Sequence, residues 1–68
     1  MNQDIIEYLE GYWEEYKLKS VYFFEKTSNS GIITFFPESN SLYIGEEGYG
    51  YEVQIQDLQH LIQLEALL

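Results

Sequence analysis

The 68 residues contain no cysteine and no arginine, and proline, methionine, tryptophan and histidine occur once each. Without thiols the chain forms neither a disulfide nor a thiolate metal centre, and a cysteine-free chain suits a reducing compartment, so the cytoplasm is the expected location. Basic residues are as scarce: three lysines stand against twelve acids, for a net charge of −9. Phosphate backbones and anionic lipid surfaces are gripped by lysine and arginine that displace counterions, so direct binding to nucleic acid or membrane is not expected. A long apolar run is also missing. The opening MNQDIIEYLEGYWEEY carries acids throughout and no basic start, which predicts neither a secretory signal peptide nor a transmembrane span.

What is present suits one small acidic domain over residues 1–68. A chain of this size buries only roughly 60% of the surface its unfolded form exposes, so a large catalytic cavity is not expected. Charge is segregated along it. Asp4, Glu7, Glu10, Glu14 and Glu15 precede any lysine, Lys17, Lys19 and Lys26 follow with Glu25, and Glu38, Glu46, Glu47, Glu52 and Asp57 form a second acidic stretch.

Apolar spacing predicts the elements. On a helical wheel Ile5, Ile6, Tyr8, Leu9, Tyr12, Trp13 and Tyr16 fill one arc of about 160° and the acids fill the other, which predicts an amphipathic helix ending near Lys17. Asn2 or Asp4 is available to cap it. From Ser20 the period becomes two: Val21 to Lys26 and Ile32 to Phe36 read as a hairpin around Thr27 to Gly31. Leu42 to Ile44 and the alternating Tyr49, Tyr51, Val53 and Ile55 read as two more strands. With Glu47-Gly48 as a two-residue turn, Ile44 opposes Tyr51 and Leu42 opposes Val53. Asp57 is a good N-cap for a final helix over residues 58–68. The expected fold is α+β: an N-terminal amphipathic helix, an antiparallel meander of three to four short strands, and a C-terminal helix packed on one sheet face. Tyr12, Trp13, Phe23, Phe24, Phe35 and Phe36 are expected mostly in the core.

Chemistry-bearing motifs are sparse. His60 stands three residues after Asp57, a spacing that could share a metal, but a site needs three or four ligands and His60 points away from the apolar arc, as a solvated helix histidine does. No serine lies in a nucleophile-elbow turn. Gly45, Gly48 and Gly50 surround two glutamates that would repel a phosphate, and Glu46, Glu47 and Glu52 do not follow calcium-loop spacing. No catalytic residue, cofactor or metal is therefore expected.

Acids at i and i+3 or i+4, such as Glu7 with Glu10 and Glu10 with Glu14, destabilise a helix by a few tenths of a kcal/mol each, a cost that solubility alone does not require. Glu7, Glu10, Glu14 and Glu15, with Glu46, Glu47, Tyr49 and Glu52, are accordingly candidates for a surface that docks a basic protein, as a mimic of nucleic acid would. Leu64, Leu67 and Leu68 lie at one edge of an apolar arc of about 200° and are candidates for self-association as a homodimer through the C-terminal helix. Glu65 falls within that arc and calls for Lys17, Lys19 or Lys26 as a partner. By composition the chain resembles the small acidic accessory proteins of phages and mobile elements that bind and block host enzymes. The expected function is a non-enzymatic inhibitor or regulator of a basic protein, one that itself binds nucleic acid being the natural candidate. The alternative is a small homo-oligomeric structural or assembly protein whose acidity only aids solubility.

Overall fold

The computed structural model describes residues 2–45 and 50–68. Helix α1 spans Gln3–Tyr12, strands β1 to β5 span Glu14–Leu18, Val21–Ser28, Gly31–Phe36, Ser41–Ile44 and Tyr51–Gln54, and helix α2 spans Leu58–Leu67. The strands pair antiparallel in chain order, β1-β2-β3-β4-β5, as a meander. The fold is thus the expected α+β arrangement, with five strands instead of three to four.

The extra strand comes from the segment expected to finish the first helix. The helix stops at Tyr12 and Trp13 is extended (φ −121°, ψ 166°), its N–H still donating to the Leu9 carbonyl at 2.8 Å. Residues 14–18 then pair with β2, from Glu14 opposite Glu25 to Leu18 opposite Val21. No residue of this edge strand is buried, so it shows no alternation, and Tyr16 falls on the apolar arc of a wheel by coincidence. The capping expectation is also corrected. Asn2 makes no side-chain cap; its Nδ2 donates to the Pro37 carbonyl at 2.7 Å and to Asn40 Oδ1 at 2.9 Å, tying the helix start to the β3–β4 turn. Asp4 Oδ1 accepts from the adjacent Ile5 N–H.

Further along, the expected pairs Ile44–Tyr51 and Leu42–Val53 both occur, whereas the Glu47-Gly48 turn lies outside the described residues. Both helices pack on one face of the sheet. Ile5, Leu9 and Trp13 from α1 and its end, Phe24, Ile33, Phe35, Leu42 and Ile44 from the strands, Ile55, and Leu61 from α2 form the buried cluster. Because side chains alternate along a strand, each Phe-Phe doublet splits: Phe24 and Phe35 enter the core, while Phe23 and Phe36 lie half-buried on the opposite face. Tyr12, the last helical residue, is 71% exposed with its ring 4.9 Å from that of Tyr8. Of the six aromatics expected mostly in the core, Trp13, Phe24 and Phe35 are there.

Asp57 caps α2 as expected. Its Oδ1 accepts from the His60 N–H at 2.8 Å, and His60 Nδ1 in turn accepts from the Gln56 N–H at 3.0 Å, a reciprocal arrangement close to a capping box. The far end of α2 is held too, since the Leu68 carbonyl accepts from Ser30 N–H at 3.1 Å.

Candidate interaction surface

The four N-terminal glutamates expected on one helix face divide between two elements. Glu7 and Glu10 are exposed on α1, whereas Glu14 and Glu15 are successive residues of β1 and point to opposite sheet faces. Glu15 accepts from the Tyr22 hydroxyl at 2.7 Å on the helix-covered side. Burial, then the bond to Glu15, its charge and the charge of Glu10 push Tyr22 up to about 12, so Glu10 and Glu15 act on the same neighbourhood. Glu14 accepts from the Tyr16 hydroxyl at 2.7 Å on the other side. Glu52 is exposed on β5 opposite Tyr43. Glu46, Glu47 and Tyr49 lie outside the described residues.

Among the described residues, the sheet face that carries Glu14 has no helix over it. Its residues fall into two rows across the strands. One runs Glu14, Glu25, Thr34, Tyr43, Glu52 by direct cross-strand pairing, and its first two members are like charges directly opposite each other, a destabilising arrangement. The other runs Tyr16, Phe23, Phe36, with the first two rings stacked at 5.0 Å and 14° and the second and third at 5.9 Å. Leu18, 56% exposed, and Val21 extend the apolar surface toward the β1–β2 turn. A cleft of about 290 Å³ beside this face is lined by Tyr12, Trp13, Glu14, Glu25, Lys26 and Thr27. These aromatics were not among the candidate residues. The two Phe-Phe doublets are the sequence signal that locates them, because a strand cannot bury both rings of a doublet on one face.

The covered side holds an ionic cluster instead. Glu65, its side chain 12% exposed, is ion-paired with Lys26 and accepts from the Tyr8 hydroxyl at 2.5 Å. Lys26 is thus the partner that Glu65 calls for. Burial pushes the Glu65 carboxyl up, but the bonds from Lys26 and Tyr8, the lysine charge and the nearby Trp13 indole outweigh it and hold it below the usual glutamate value. The Trp13 Nε1–H is buried close to Glu65 and has no acceptor in full hydrogen-bonding geometry among the described residues. Tyr8 is pushed up to about 12 by burial and by Glu65.

Of the self-association candidates, Leu64 and Leu68 are half-buried against the core and Leu67 is 82% exposed. His60 sits in a shallow depression with Gln56, Asp57, Gln59 and Gln63, and both its backbone N–H and its Nδ1 are engaged in capping α2. Among the described residues no three His, Cys, Asp or Glu side chains converge as a metal site, and no helix is long and apolar enough to cross a membrane. No known protein family, curated protein or solved structure matches the chain.

Proposed function

We propose that the protein is a non-enzymatic acidic binding module of the cytoplasm that inhibits or regulates a basic protein, one that itself binds nucleic acid. The observation that carries this reading is the use of the lysines. Lys26 is committed to Glu65 in the one ion pair found among the described residues, and Lys17 lies over the Tyr22 ring at 5.4 Å. With Lys26 and Lys17 so engaged, the net charge of −9 sets up a negative field that attracts and steers a basic partner.

The test is capture from a lysate of the native host on the immobilised protein at low salt, read by mass spectrometry. A basic, nucleic-acid-binding protein is expected, with retention that falls as salt rises and is lost from a variant with Glu7, Glu10, Glu14 and Glu15 changed to Gln. Retention that is indifferent to both salt and the four substitutions overturns the reading. The exposed Leu67 favours the second reading, a homodimer through α2; sedimentation equilibrium of wild type and Leu67→Glu tests it, and a wild type that stays monomeric at about 100 μM excludes a dimer of moderate affinity.

A further inference from the structure

We infer that the helix-free face of the sheet docks an amphipathic helix of the basic partner, its apolar stripe on Tyr16, Phe23 and Phe36 and its lysines or arginines over Glu14 and Glu25. This rests on the basic-partner reading and says where, and with what element, the contact is made.

Size and charge together select the occupant. The three rings cross three adjacent strands, two spacings of roughly 4.8 Å, a width of about 10 Å that matches one α-helix. A helix laid there covers the half-buried Phe23 and Phe36 and the exposed Leu18 and Val21, an aromatic and aliphatic surface of the kind that binds helix faces. The charged side chains of the face are all carboxylates among the described residues: Lys26 lies on the covered side with Glu65, Lys17 is over Tyr22, and Lys19 is in the β1–β2 turn. The directly opposed Glu14 and Glu25 repel in the free protein, so a cation docked between them removes a standing penalty as well as adding an attraction. A second copy of this chain would do the reverse. It would bring another −9 and a second set of the same carboxylates onto the face, with no lysine there to receive them.

The probe is a synthetic helical peptide of about 18 residues, roughly 27 Å long, built of leucine and lysine with the leucines on one stripe; a scrambled peptide of the same composition and an oligolysine of the same length are the controls. The stripe peptide is expected to bind at least about tenfold more tightly than either control and to shift the ring resonances of Tyr16, Phe23, Phe36 and Tyr43. Phe23→Thr/Phe36→Thr should weaken it about tenfold or more. Glu14→Gln/Glu25→Gln, which relieves a repulsion and so keeps the fold, should weaken it severalfold at low salt, with the difference vanishing at high salt. Binding that maps to α1 and is lost in Glu7→Gln/Glu10→Gln overturns the sheet-face proposal while leaving the basic-partner reading standing. Equal affinity for the stripe and scrambled peptides also overturns the proposal. Failure of all three basic probes to bind removes both readings. A wild-type dimer that Phe23→Thr/Phe36→Thr dissociates would show a second copy on this face, and the proposal falls.

Discussion

Glu65 is the carboxylate on which α1, β2 and α2 converge, and its environment sets a pH signature. Its value is ordinarily 4.5 and is lowered in the folded protein, so its contribution to stability is complete above 4.5 and is lost as pH falls through the lower folded value. Denaturant unfolding across the acid range should show this loss, and Glu65→Gln should remove the part of the slope that Glu65 supplies; an unchanged slope in the variant refutes the assignment. Tyr8 gives the mirror image. With its value raised from 10.0 to about 12, its contribution is complete below pH 10 and fades as pH rises toward 12, which tyrosinate absorbance of wild type against Tyr8→Phe will show. Lys26→Met strips the charged donor from a carboxylate only 12% exposed and is expected to cost about 1 to 3 kcal/mol in unfolding free energy. Two glycines set a further contrast. A Cβ at Gly11 meets nothing within 4 Å on an exposed helical position, so Gly11→Ala should stabilise by about 0.5 to 1 kcal/mol. A Cβ at Gly50 would stand 2.6 Å from the Ile44 carbonyl and the Tyr43 ring, so Gly50→Ala should destabilise by about 1 to 3 kcal/mol. Thermal unfolding of the two variants should move in opposite directions.

At the scale of elements, α2 and the β4–β5 pair were legible because independent signals agree. Asp57 precedes the apolar run of α2 as a capping residue, and the Ile44–Tyr51 and Leu42–Val53 pairs follow from apolar alternation around a turn sequence. The cap also gives His60 a structural duty that its spacing from Asp57 did not disclose. His60→Ala should lower stability by up to about 1 kcal/mol through the lost bond to the Gln56 N–H, while partner affinity stays unchanged; a loss of affinity at full stability would put the ring in the binding surface instead. β1 was not legible, because an edge strand exposed on both sides needs no apolar alternation and Glu14, Glu15 and Lys17 serve it as well as they serve a helix. Misplacing β1 also misplaced its acids. Read on a helix, Glu14 and Glu15 join Glu7 and Glu10 in one stripe; on a strand they part to opposite faces, and one of them becomes the rim of an aromatic surface. That surface was half-legible. The Phe-Phe doublets mark two strands buried on one side and apolar on the other, but only the presence of both helices on a single face leaves the second set of rings uncovered.

For the whole molecule, the surplus of negative charge acts on stability as well as on partners. Carboxylates that repel across a domain 29 × 28 × 20 Å are screened once the Debye length falls to about 8 Å, so the thermal midpoint should rise from low salt to physiological ionic strength. A fall would mean that the Lys26–Glu65 pair, which salt weakens, dominates. The chain-order meander has a kinetic consequence as well. Every strand pairs only with its neighbours in sequence, so the sheet can zip from hairpin to hairpin with small loops to close, and low contact order of this kind favours fast folding. The contacts that span the chain belong to its two ends: Asn2 reaches Pro37 and Asn40, Ser30 holds Leu68, and Tyr8 meets Glu65 across 57 positions. Those clasps form after the transition state if the sheet is its nucleus. Tyr8→Phe should then leave the refolding rate almost unchanged and speed unfolding, which makes the joined termini a latch that sets how long the native state lasts rather than how quickly it is reached.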